Sequence, residues 1–98
     1  MKLGAAIKEL RQESGLRQKD LAQRVGVTQS YLSQVENEHK DPNLSTIRRI
    51  AEEVGVSVPI LFFRSMDGDD VRPDRKEAFD QIFPRFKGII EDQLLAEA

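Results

Sequence analysis

The side chains in this sequence best placed to do chemistry are amides and hydroxyls, not acids, bases or thiols. Gln29, Ser30, Ser33 and Gln34 stand on the outward side of a predicted helix whose Leu32 and Val35 point inward at i, i+3. A glutamine amide can donate to and accept from adenine N6 and N7 together, which gives ~1–3 kcal/mol of discrimination per good pair. An exposed helix face built from such groups, in place of the usual Lys and Glu, suits hydrogen bonding to base edges. Gln18 opens the preceding helix, where free backbone N–H groups and the helix dipole favour an anion. Arg17 and Lys19 flank it, and Asn37, His39 and Lys40 follow the amide-rich helix in a polar loop. An ordinary helical hairpin with a polar surface would carry the same residues, so the surrounding elements decide between the two.

Those elements are legible. Leu21, Ala22 and Val25 share one apolar face of a helix over about Gln18–Val25, and Ala22 is small where a close crossing is needed. Gly26 suits a left-handed C-terminal position, and Thr28 is a good N-cap for the helix over about Gln29–Glu36. Before them, Ala6, Ile7 and Leu10 line a helix over about Leu3–Ser14. After them, Pro42 keeps 37–43 as loop and Asn43 caps a helix whose inward set is Leu44, Ile47, Ile50, Ala51 and Val54. Ser57 caps a short fifth helix, with Pro59 in its first turn and Leu61 and Phe62 as core plugs.

Together these segments resemble the Cro/CI-type helix-turn-helix regulators, also called the xenobiotic-response-element type. The signatures are LRQESGLRQKDLAQRVGVTQSYLSQVENE and LSTIRRIAEEVGVSV, and the resemblance covers roughly residues 3–63. It implies an all-α fold, a five-helix repressor-like bundle, and a partner of double-stranded DNA. It also implies residue roles. Gln29, Ser30 and Gln34 match base readers, with Ser33 less consistently used. Gln18 and Asn37 match phosphate contacts, and Arg11 with Glu36 matches a partly buried salt bridge. Two departures matter. Arg17 stands where a capping Ser or Thr is usual, so it either weakens that cap or meets a phosphate. Glu38 stands where glycine is common, next to the surface that would face DNA.

Composition narrows the alternatives. The 98 residues suffice for one small core. No cysteine is present, so neither a disulfide framework nor a thiolate metal site is expected, and a reducing cytoplasm is the expected compartment. No apolar run approaches the ~20 residues of a membrane span. His39 is the sole histidine and has no partner at ligand spacing. No catalytic triad, paired-carboxylate cleft or glycine-rich phosphate loop is visible, so neither an enzyme nor a cofactor or metal is expected. The net charge of −2 averages two unlike parts, +2 over residues 1–66 and −4 over residues 67–98. In the first part Lys2, Lys8, Arg11, Arg17, Lys19 and Arg24 provide a local positive face.

Residues 1–66 therefore read as the DNA-binding unit, 67–73 as a linker, and 74–98 as an amphipathic helical segment. Asp74 and Glu77 have the spacing of a capping box, and Pro84 should kink or split the helix. Phe79, Phe83, Phe86, Ile90 and Leu94 form an apolar stripe that suits a homodimer interface. The same stripe could fold back near residues 61–63, and both arrangements could hold at once. A third option is an antitoxin-like module whose C-terminal helix binds a partner protein.

Overall fold

Six α-helices form the computed structural model, which describes residues 1–92: α1 Leu3–Glu13, α2 Gln18–Val25, α3 Gln29–Glu36, α4 Leu44–Val54, α5 Val58–Ser65 and α6 Lys76–Ile90. Helices α1–α5 enclose one core of Ile7 and Leu10, Leu21 and Val25, Leu32 and Val35, Ile47, Ile50 and Val54, and Leu61. Each helix contributes only part of the core. Short segments of eight residues, such as α2, α3 and α5, hold their shape through this packing and not through intrinsic propensity.

The caps fall where hydrogen-bonding chemistry requires them. Thr28 Oγ1 accepts the Tyr31 N–H at 3.0 Å, and Asn43 Oδ1 accepts the Thr46 N–H at 2.8 Å. Ser57 Oγ accepts the Ile60 N–H at 3.4 Å. Gly26 closes α2 at φ 84, a left-handed conformation that bends the chain sharply into Val27 and the start of α3. This turn sets the crossing of α2 over α3.

Two local expectations need correction. Leu44 is 51% exposed, while Thr46 is buried in its place. Leu44 is the first residue of α4, and the buried face of that helix begins two residues later, at Thr46. The capping box at Asp74 and Glu77 does not form. A 3₁₀ turn over Pro73–Arg75 leads into α6, and the Asp74 carboxylate is held by Arg72 at 2.8 Å. Of the two outcomes expected at Pro84, a kink or a split, the split does not occur, and α6 runs through it as one helix. The Asp80 carbonyl that loses its N–H partner lies on an exposed flank, where water can serve it.

The stretch between α5 and α6 is ordered by its own carboxylates. Asp70 accepts the Asp67 N–H at 2.8 Å and Asp67 accepts the Asp69 N–H at 2.9 Å, closing a 3₁₀ turn over Gly68–Asp70. From there α6 folds back on the bundle. Phe83 stacks on Phe79 at 4.6 Å between ring centroids and meets Phe63 of α5 at 5.1 Å. Beyond α6, Glu91 reaches Arg64 Nε at 3.2 Å, where Arg64 already pairs with Glu9 and Glu13 of α1. Among the described residues no helix is long and apolar enough to cross a membrane.

Candidate nucleic-acid interface

A chain of polar contacts runs from inside the bundle to the start of α3. Arg11 Nε donates to Glu36 Oε2 at 2.8 Å and its Nη2 to Oε1 at 3.1 Å, a bidentate pair with side chains 10% and 2% exposed. The remaining nitrogen, Nη1, donates to the Leu16 carbonyl at 2.9 Å. Glu36 Oε1 also accepts from the Gln18 side-chain amide at 3.2 Å. The Gln18 oxygen in turn accepts from Gln29 Nε2 at 3.4 Å. The backbone explains why these groups meet: α1 brings Arg11, α2 brings Gln18, and α3 brings Gln29 and Glu36 from its two ends to a common edge, while their apolar faces close the core.

The consequence for Gln29 is directional. One of its amide hydrogens points back to Gln18, so its rotamer is restrained and its oxygen and second hydrogen remain for an outside partner. Ser30 and Gln34 are exposed beside it, and Ser33 is half-buried with its hydroxyl accepting from Asn37 Nδ2 at 3.4 Å. Thus Gln29, Ser30 and Gln34 share the open face, while Ser33 is partly engaged within α3.

The flanking residues are more constrained than the sequence alone conveys. Arg17 pairs with Asp20 at 3.0 Å, and Asp20 also accepts the Arg17 backbone N–H at 3.3 Å. This carboxylate supplies half of a capping box, which compensates for the missing Ser or Thr. The Arg17 guanidinium beside it holds the Asp20 carboxyl below the usual carboxylate range. Lys19, Asn37, His39 and Lys40 are exposed. The His39 backbone N–H donates to the Gln34 carbonyl at 2.8 Å, and Lys40 Nζ lies 5.9 Å from the Tyr31 ring centroid. That cation–π contact places the ammonium along the side of α3. Of the six cations that made the first part look basic, Arg11, Arg17 and Arg24 are each paired with a carboxylate. Of those six, Lys2, Lys8 and Lys19 have no carboxylate partner among the described residues.

Two residues of this edge escape a reading by sequence pattern. Gly4 sits where α1 begins against the end of α3: a Cβ there would lie 2.0 Å from the Val35 carbonyl oxygen. Glu38 adopts φ 63, and its carboxylate accepts the Ala5 N–H of α1 at 2.9 Å. The carboxylate thus points to α1 and not outward. Only the departure from glycine at position 38 marked the site in advance.

Comparison with known proteins follows the same lines. The family model described as helix-turn-helix matches residues 7–61. The chain is 33% identical over 94 residues to the propionyl-CoA carboxylase regulator of Cereibacter sphaeroides, covering 95% of this chain but 20% of that protein. It is 36% identical over 61 residues to the immunity repressor protein of Bacillus phage phi105, covering 62% of this chain and 42% of the repressor. The chain thus spans less than half the length of either relative. In structure it is similar to the clp gene regulator ClgR from Corynebacterium glutamicum, with a TM-score of 0.65 at 20% identity, over 95% of this chain and 90% of that one.

Proposed function

The chain belongs to the helix-turn-helix family of the Cro/CI type, and from that premise we propose that it is a sequence-specific double-stranded DNA-binding transcriptional regulator, a repressor acting as a homodimer on a two-fold symmetric operator. The observation that carries the reading is Gln29. It stands at the exposed start of α3, restrained by Gln18, with its remaining amide groups free to meet a base edge. Recognition helices present their N-terminal residues to the major groove, which puts Gln29 and Ser30 first and Gln34 a turn later. Gln18, Arg17, Lys19, Asn37, His39 and Lys40 border this face and are assigned to phosphates. Among them Arg17 must share its guanidinium with Asp20. The repressor assignment draws on the printed role of the phage relative.

One recognition helix covers too few base pairs for useful selection among genomic sites, which argues for two copies. The C-terminal stripe has a flank turned to the bundle and a more open flank beside it, and Phe79, Ile82, Phe83 and Phe86 line one apolar groove with Phe63. Phe79, Phe83 and Ile90 are half-buried on the bundle side, while Ile82, Phe86 and Ile89 are 52%, 56% and 59% exposed. Leu94, assigned to the same stripe, lies outside the described residues. The exposed three recur at i, i+4 and i+7, the seam of a helix pair. Arg75 and Lys76 stand at one end of α6 and Asp92 at the other, Glu91 being held by Arg64 of its own bundle. Two copies running antiparallel then set unlike charges together at both ends, as a self-complementary two-fold contact requires. We assign this face to a second copy of the chain. The contact of Phe83 with Phe63 favours a tail folded on its own bundle over an antitoxin-like tail that orders only on another protein.

Binding selection from a random duplex library tests the whole reading. The expected product is an inverted repeat with half-sites about one helical turn apart, roughly 34 Å. Enrichment of no sequence, or of a single unrepeated half-site, refutes respectively the DNA reading and the two-fold one.

A further inference from the structure

Glu38 is the one non-glycine residue with positive φ among the described residues, at 63. Glycine enters this region freely, whereas side chains with a Cβ pay a steric cost. A glutamate here calls for something its side chain does. The structure shows what that is. Helix α1 begins after Lys2, whose side chain makes no capping hydrogen bond, so the first turn lacks a local acceptor. Glu38 Oε1 fills that role across the fold by accepting the Ala5 N–H at 2.9 Å. The contact is favourable twice over: it satisfies an orphan donor, and it places a negative charge at the positive end of the α1 dipole. Gly4 makes the approach possible, because a Cβ there would lie 2.9 Å from this same carboxylate oxygen and 2.9 Å from the Glu36 carbonyl.

The loop held in this way is the one that carries Asn37, His39 and Lys40. We propose that Glu38 is a positioning residue for the phosphate-facing loop. Its carboxylate ties the end of α3 to the start of α1, fixes the left-handed turn, and keeps its own charge off the DNA side. The inference rests on the DNA-binding reading above, but it concerns a residue that touches no DNA. It also separates two opposite expectations for removing this carboxylate. If the side chain merely repels phosphates, its loss tightens binding; if it positions the loop, its loss weakens binding.

Three variants of the full chain decide the matter: Glu38→Gln, which keeps an acceptor oxygen without the charge; Glu38→Gly, which keeps the backbone conformation without the acceptor; and Glu38→Ala, which keeps neither. The readouts are amide hydrogen exchange at Ala5 in the free protein, and titration against the selected operator and a random duplex at two salt concentrations. Glu38→Gln should retain Ala5 protection and bind operator within about twofold of the unsubstituted chain. Glu38→Gly and Glu38→Ala should lose that protection and bind both duplexes about tenfold more weakly, with a salt slope shallower by about one contact. Rescue by glutamine and not by glycine is the signature. Tighter binding by all three variants overturns the proposal in favour of simple repulsion, and wild-type binding by Glu38→Gly reduces position 38 to a backbone requirement. If the unsubstituted chain binds neither duplex, the DNA-binding reading fails and takes this one with it.

Discussion

Replacing Arg11 by alanine should cost this protein a large share of its stability. The guanidinium makes three hydrogen bonds, two to Glu36 and one to the Leu16 carbonyl, from a side chain only 10% exposed. Once it is gone, the Glu36 carboxylate, 2% exposed, keeps a single amide donor from Gln18. Breaking a buried pair from one side costs about 3–5 kcal/mol, because the surviving charge is stranded. A domain of this size is stable by about 5–15 kcal/mol in total. At about 4–8 °C per kcal/mol, the expected drop in Tm is roughly 12–40 °C. Urea unfolding followed by helical circular dichroism measures it, and a cycle with Glu36→Ala isolates the pair. The double variant should be less destabilised than the sum of the singles by about 0.5–3 kcal/mol. Operator affinity, counted per folded molecule, should fall less than stability does. A single-variant loss under about 1 kcal/mol, or additivity within about 0.5 kcal/mol, would mean that the pair is not a buried, coupled one.

Gln29→Ala should weaken operator binding by ~1–3 kcal/mol and relax preference at one base pair per half-site, as read by competition binding; an unchanged preference removes Gln29 from base contact. Gln18→Ala should weaken operator and random DNA alike, with a smaller loss of preference at the Gln29 base pair because the 3.4 Å restraint is gone. Gly4→Ala should destabilise the fold by about 1–3 kcal/mol in urea titration, since the new methyl meets backbone oxygen at 2.0 Å and the helices must separate; a neutral result would show that α1 shifts freely on α3. Phe86→Asp should leave the helical signal close to unchanged while converting the proposed dimer to a monomer in sedimentation, with a lower Tm that no longer depends on protein concentration and with operator affinity lost accordingly. A substituted protein that still sediments as a dimer moves the interface elsewhere.

Periodicity was informative where burial is one-sided. The inward positions of α1 to α3 follow directly from the spacing of Ile7, Leu10, Leu21, Val25, Leu32 and Val35, all buried. Caps were legible for the same reason: Thr28, Asn43 and Ser57 each have a short side chain that can reach only its own helix. Helix ends were read less well, because an apolar residue at a terminus can precede the buried face, as Leu44 does. Asp74 failed as a cap because a nearer arginine, Arg72, competes for it. The contacts of Glu38 with Ala5 and of Gly4 with Val35 join positions more than thirty residues apart and have no local pattern at all. The C-terminal stripe was legible as apolar, with room both to fold back and to pair, but which of its residues are covered depends on the position of Phe63, which has no local pattern.

The buried carboxylate of Glu36 constrains how this surface can change. Oxygen Oε1 serves both the Arg11 pair that joins α1 to α3 and the Gln18 amide that restrains Gln29. Stability and reading geometry therefore share one acceptor, and a change at Arg11, Gln18 or Glu36 disturbs both. Ser30 and Gln34 carry no such link: they are exposed, and no side-chain hydrogen bond ties them to the bundle among the described residues. Surface substitutions of this kind usually fall within about 0.5 kcal/mol of neutral. A new operator preference is thus reached most cheaply through Ser30 and Gln34, with Gln29 changed only together with Gln18. Variants selected for altered specificity should concentrate at the first two positions, because there a proposed base contact can be exchanged without loosening the helix that would present it.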